Sequence, residues 1–146
     1  MLAVDVITIF PAMVHAAVSD GIVARAVEKG LARIDVHDLR DHTDDRHRSV
    51  DDAPFGGGPG MVMKAEPFLR AVEGLLPNGR GPRDAVVLLS PRGRAFRQSV
   101  AEEFTTLEHL VLLCGRYEGI DERVAQELAT EELSVVDVDL VVGVNA

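Results

Sequence analysis

An α/β fold, with a mostly parallel sheet and helices on both of its faces, is what the sequence predicts, and three observations carry that reading. Short aliphatic and β-branched runs alternate with helical patterns along the chain. The stretches between successive runs are long enough for crossover helices, which implies parallel pairing through right-handed connections. Finally, 146 residues, 47% of them hydrophobic, suit the core of one compact domain, residues 1–146.

Each element has its own signal. LAVDVITIF is rich in β-branched residues and reads as a strand that Pro11 terminates. Pro11 to Lys29 is helical in pattern, broken near Ser19-Asp20-Gly21, with Ile22, Val23 and Ala26 expected inward and Gly30 at the C-cap. Ala32 to Val36 alternates with period two, as a strand with one wet face does. Residues 38–60 show almost no periodicity and read as a long loop. A short helix follows from Pro67 to Leu75, then a turn at PNGRGPRD, then the buried strand Ala85 to Leu89. Ser90-Pro91-Arg92-Gly93 reads as a loop, and Phe96, Val100 and Phe104 place one apolar face on the next helix. Leu110 to Cys114 repeats the strand signal, and Gly115 to Gly119 is a loop. Ile120, Val124 and Leu128 then form a helical stripe, and Val135 to Val142 is a last apolar run. There is no internal repeat.

Composition narrows the functional classes. No apolar run approaches the length of a membrane span. MLAVDVITIF has neither a basic n-region nor a cleavage site, so a cytoplasmic protein is expected. The single cysteine, Cys114, excludes an internal disulfide framework and a cysteine-based zinc cluster, and its strand position suggests an inert buried thiol. The net charge of -9 argues against a nucleic-acid partner, but residues 1–100 hold 13 acidic and 13 basic side chains, and the excess lies in residues 101–146. Arg80, Arg83, Arg92, Arg94 and Arg97 fall on two loops and are a candidate basic patch, the alternative being solvated loop charges.

Open parallel sheets bind ligands beyond the carboxyl ends of their strands, which singles out Ser90-Pro91-Arg92-Gly93, Gly115-Arg116-Tyr117-Glu118-Gly119 and the segment after the last apolar run. None matches a dinucleotide or phosphate-loop glycine pattern. The second loop combines close backbone approach, a cation, an aromatic face and a carboxylate, a set suited to a zwitterionic adenine-bearing ligand; a plain turn is the alternative. No metal is expected in Asp41 to Arg48, because the interleaved arginines repel a cation and pair with the acids. Ser90 and Ser134 have no evident histidine partner for nucleophilic chemistry. The three adjacent glycines in DDAPFGGGPGM imply either close approach to a ligand or a flexible linker.

Three motifs occur in order: DHTDDRHRSVDDAPFGGGPGM, VVLLSPRGR and LVLLCGRYEGIDERV. With the opening ITIFPAMV, they closely resemble the bacterial tRNA (guanine37-N1)-methyltransferases, the TrmD family of SPOUT methyltransferases, from residue 1 to about residue 135. The resemblance implies a C-terminal trefoil knot, a homodimer with the cofactor site at the subunit interface, and S-adenosylmethionine as cofactor. It assigns Leu88, Leu89, Ser90 and Pro91 to the first cofactor loop and Gly115, Arg116, Tyr117, Glu118 and Gly119 to the second. Ser134, Val135, Asp137, Leu140 and Gly143 match the third, with Ser134, Val135, Leu140 and Gly143 assigned to the cofactor. Glu118 is a candidate catalytic group near the methyl end. Phe55, Gly56, Gly57, Gly58, Pro59, Gly60 and Met61 correspond to the segment near cofactor and target guanine, and Arg92 and Arg94 are expected to contact phosphate of the tRNA anticodon loop.

The third loop departs from the family pattern. Val136 and Val142 stand where the family has glycines, Val138 where it has a tyrosine and Val144 where it has a glutamate. Branched side chains there would block close backbone approach. Family members also continue into a C-terminal helical domain that supplies the aspartate proposed as general base, so weak or no catalysis is expected of this chain alone. The alternative is a non-catalytic domain for dimerisation or RNA contact that has lost cofactor binding.

Overall fold

The computed structural model describes residues 1–43, 48–52, 62–115 and 119–135. Five strands form one sheet in the order β2-β1-β6-β5-β7: β1 (Leu2–Thr8), β2 (Ala32–Asp38), β5 (Asp84–Ala95), β6 (His109–Cys114) and β7 (Glu131–Ser134). Every pairing in it is parallel. β3 (Asp51–Asp52) and β4 (Val62–Met63) make a separate antiparallel ribbon. The helices are α1 (Pro11–Val18), α2 (Gly21–Glu28), α3 (Ala65–Leu75) and α4 (Gln98–Phe104). A 3-10 turn spans Leu39–His42 and a π-helical turn Val124–Leu128, in which the Ala129 N–H donates to the Val124 carbonyl.

Connection direction decides which face each helix covers. The β1-to-β2 and β5-to-β6 steps run the same way across the sheet, so right-handed crossovers put α1, α2 and α4 on one face. The β2-to-β5 and β6-to-β7 steps run the other way and put α3 and the π-helical turn on the opposite face. The core divides accordingly. Phe68, Ala71 and Val72 of α3 pack with Val124 on Ile7, Val86, Leu88, Val111 and Leu113. Val100 of α4 packs on Ala85, Val87, Leu110 and Leu133. The alternation of these two sets along β5 and β6 is the period-two rule of a strand covered on both sides.

Local chemistry explains the element ends. Pro11 starts α1, where its missing N–H is not needed. The Asp20 side chain accepts from the Gly21 N–H and opens α2, and Gly30, at φ +72°, takes the left-handed position beyond its end. Ile22, expected inward, is 83% exposed. Val23 and Ala26 are half-buried as expected, and Ala24 takes the third inward place instead of Ile22.

Three further expectations are corrected. Ser90 to Gly93 belongs to β5, as an irregularity between the Leu89–Leu133 and Arg94–Leu133 pairings with β7. Pro91 has no N–H to give the ladder, and four residues are displaced before pairing resumes. Phe96 is not on the α4 face: its N–H donates to the Ser134 carbonyl at 2.8 Å, which keeps it in line with the strand and 47% exposed. Ile120 precedes the π-helical turn and does not share a helical stripe with Val124 and Leu128. The last apolar run from Val135 is preceded by β7, and residues 136–146, where the implied knot would close, lie outside the described residues. No helix among the described residues is long and apolar enough to cross a membrane.

Candidate functional site

The carboxyl ends of β5 and β6 lie side by side. Leu88 pairs with Leu113 and Leu89 with Cys114, so Ser90 and Gly115 leave the β5–β6 ladder as neighbours. On the other side of β5, Leu88 pairs with Glu132 and Leu89 with Leu133, which brings buried Ser134 and exposed Val135 to the same edge. The described parts of all three expected cofactor loops therefore converge at one end of the sheet. Arg116, Tyr117, Glu118, Leu140 and Gly143 lie outside the described residues.

Close packing fixes these segments. A Cβ on Gly93 would stand 2.5 Å from the carbonyl carbon of Glu132 and 2.7 Å from its oxygen, so only glycine allows the displaced segment to lie against β7. A Cβ on Gly115 would stand 2.8 Å from Cγ1 of Ile120. Ile120 is held in turn by β4: the Met63 N–H donates to the Gly119 carbonyl at 3.1 Å, and the Asp121 N–H donates to the Met63 carbonyl at 2.9 Å. Met63 is fully buried. It thus anchors the exit of the second loop and also the strand that follows Phe55 to Met61. Those seven residues lie outside the described set, but the Asp52–Val62 pairing brings the chain on either side of them to one place.

The five arginines of the candidate basic patch are not brought together. Arg80 and Arg83 precede β5 while Arg92, Arg94 and Arg97 lie at or beyond its other end. Most of these charges also have partners. Arg83 pairs with Glu108 at 2.9 Å, and Arg92 lies 3.7 Å from Glu122. Arg94 pairs with Glu131 at 2.7 Å and with Glu103 at 2.6 Å. Hydrogen bonds that Arg94 donates to Glu131 and Glu103 hold its guanidinium more firmly protonated than usual, and Arg94 in turn lowers the Glu103 carboxyl pKa. Sequence alone cannot show this, because Glu103 and Glu131 reach Arg94 only through the fold. In Asp41 to Arg48, Arg48 pairs with Asp41 and lies 3.9 Å from Asp38, as expected of internally paired charges.

Two features escaped the sequence reading. The first is Asp5, 1% exposed in the middle of β1, whose carboxylate accepts from Nε2 of His37 at 2.6 Å, Nε2 of His109 at 2.6 Å and Nη2 of Arg33 at 3.3 Å. Arg33 also pairs with Asp35. Burial works to raise the Asp5 pKa, but the hydrogen bonds from His37, His109 and Arg33 outweigh it and leave the carboxyl below its ordinary value. The signal was an acid inside an apolar strand, which requires a partner. The second is Glu132, whose Oε2 is buried and has no hydrogen-bond partner among the described residues. Cys114, expected to be buried, is half-buried, yet desolvation still pushes its thiol up to about 11, which disfavours the thiolate at neutral pH.

Comparison with known proteins places the chain. The family model tRNA (Guanine-1)-methyltransferase TrmD matches residues 2–146. A protein of Moorella thermoacetica named tRNA (guanine-N(1)-)-methyltransferase is 50% identical over 142 residues, covering 97% of this chain and 57% of the relative. Proteins of the same name from Dictyoglomus turgidum and Chloroflexus aggregans are 48% and 49% identical, over 98% and 95% of this chain and 56% and 54% of their own lengths. The chain therefore spans little more than half the length of these relatives. With the match running from the first strand to the last residue, the chain belongs to the tRNA (guanine-1)-methyltransferase TrmD family.

Proposed function

We propose that residues 1–146 form a SPOUT methyltransferase domain that binds S-adenosylmethionine at the carboxyl edge of the sheet and takes part, as a homodimer, in methylating N1 of the guanine at position 37 in the tRNA anticodon loop. The observation that supports this most is the Leu89–Cys114 pairing, which sets the turns after VVLL and after LVLLC next to each other, close enough to hold one adenosyl ligand. The residues present fit such a ligand. Backbone at Ser90 and Pro91 lies beyond the β5–β6 ladder, where its polar groups become available to an adenine ring, while Leu88 and Leu113 below it keep water from the floor.

When bound, S-adenosylmethionine supplies an electrophilic methyl group on a positively charged sulfur. The protein's task is to hold that methyl in line with guanine N1 and to provide a base for the N1 proton. Glu118 is the candidate within this chain for a charge near the methyl end. An anticodon loop suits the chemistry because its unpaired bases can present their Watson–Crick edges. Of the two arginines assigned to phosphate, Arg92 is the freer, since Arg94 would first have to leave Glu131 and Glu103. Calorimetry with S-adenosylhomocysteine tests the reading: saturable binding is expected, and no heat at millimolar ligand would instead favour a dimerisation or RNA-contact domain without cofactor. Methyl transfer to a tRNA transcript, with one lacking the guanine next to the anticodon as control, tests the substrate.

A further inference from the structure

The carboxylates around the sheet's carboxyl edge are nearly all engaged. Glu131 and Glu103 hold Arg94, Asp121 holds Arg123 at 2.9 Å, and Glu122 faces Arg92. Glu132 differs, because its Oε2 is buried without a hydrogen bond to any described residue. A buried carboxylate oxygen left unpaired costs stability, so a folded chain that keeps one has a use for it.

Its position suggests what that use is. Pairing register puts Ile7, Leu113, Leu88 and Glu132 in one row across the sheet, three aliphatic side chains and then a carboxylate. Further along, Ser134 lies two residues after Glu132 on the same face of β7 and pairs with Ala95, while Gly115 follows directly after the end of β6. Glu132 therefore stands one residue before the point at which the turn after VVLL, which the proposed cofactor would occupy, departs from regular pairing. The neighbouring Gly93 contact holds the Glu132 backbone in place and limits how far the side chain can be carried away by the strand.

We propose that Glu132 is a ligand-binding residue, its Oε2 accepting a hydrogen bond from a donor group of the adenosyl ligand, either a ribose hydroxyl or the ammonium of the amino-acid end. This rests on the cofactor reading above. A carboxylate suits either donor, and its charge strengthens the bond in a site closed to water. The arrangement trades the stability of the empty protein for affinity.

That trade gives opposite signs in two measurements. Glu132→Gln and Glu132→Met are compared with the unaltered chain by thermal unfolding without ligand and by calorimetry with S-adenosylhomocysteine. The expected result for Glu132→Met is a higher Tm and an affinity lower by at least about tenfold, the scale of a lost hydrogen bond to a charged group. Glu132→Gln is expected to retain part of the affinity, since its amide oxygen still accepts. 5′-Methylthioadenosine, which keeps the ribose but lacks the amino-acid end, separates the donors: if its affinity falls with the same substitution, the donor is a ribose hydroxyl, and if it is unchanged while that for S-adenosylhomocysteine falls, the donor is the ammonium. A lower Tm with unaltered affinity would overturn the proposal and assign Glu132 to the fold. Failure of the unaltered chain to bind S-adenosylhomocysteine would overturn the cofactor reading itself, and this inference with it.

Discussion

Replacing Asp5 by Asn removes one charge and almost no volume, so it isolates what the buried carboxylate contributes. In the native sheet Asp5 accepts from His37 and His109 at 2.6 Å each and from Arg33 at 3.3 Å. Asn has a single acceptor oxygen, so one histidine must switch tautomer and accept from the amide, and both bonds lose their charge-assisted part, about 1 kcal/mol each. The Arg33 contact adds little because that side chain is 42% exposed. The sum is about 2 kcal/mol at neutral pH, or a fall in Tm of about 5–10 °C for a chain of this size. The pH dependence has a definite sign. The Asp5 pKa in the folded protein is below its ordinary 3.8, so its contribution is complete above that value and is lost as pH falls through the lowered one. Urea unfolding of both proteins between neutral pH and pH 3 should show the gap narrowing only at the acid end. A gap within about 0.5 kcal/mol at neutral pH, the usual range for surface substitutions, would refute the reasoning. So would a gap that is unchanged in acid.

One further substitution and one reaction can be predicted from the packing around β5 and β6. Gly93→Ala forces a Cβ against the Glu132 and Leu133 backbone, so β7 must move outward; a loss of about 1–3 kcal/mol is expected in urea unfolding, and a neutral result would show that the segment can relax at no cost. Cys114, with its thiol pushed up to about 11, should react slowly with iodoacetamide at neutral pH and faster as pH rises towards that value; rapid alkylation at neutral pH would contradict its burial.

Much of the sheet was legible because its strands are covered on both faces and read as near-continuous apolar runs: Ala85 to Leu89 and Leu110 to Cys114 lie in β5 and β6. What could not be read was set by contacts between distant parts of the chain. Ser90 to Gly93 looks like a loop because Pro91 and Gly93 break patterns, yet Arg94 and Ala95 resume pairing with a strand some 40 residues later. TEELS carries only one apolar side chain and two acids, so β7 gave no strand signal, although Leu133 is buried in the core. The arginines suggested a patch because sequence shows their spacing and not their partners. At the candidate site, the two turns were visible as glycine-bearing breaks after apolar runs. Met63 and Ile120, which hold the second turn in place, were not, since nothing in MVM or GID distinguishes an anchor from ordinary core. The family resemblance supplied residue roles that pattern alone did not.

The account depends on the neighbouring strand ends of β5 and β6 holding a single ligand. Backbone amide shifts in a two-dimensional NMR titration with S-adenosylhomocysteine test this most directly. Ser90, Arg92, Gly115 and Gly119 should move together and saturate with one Kd, while Leu2 and Ala32, at the opposite end of the sheet, stay still. Shifts confined to one of the two turns, or separate saturation of each, would contradict a shared site.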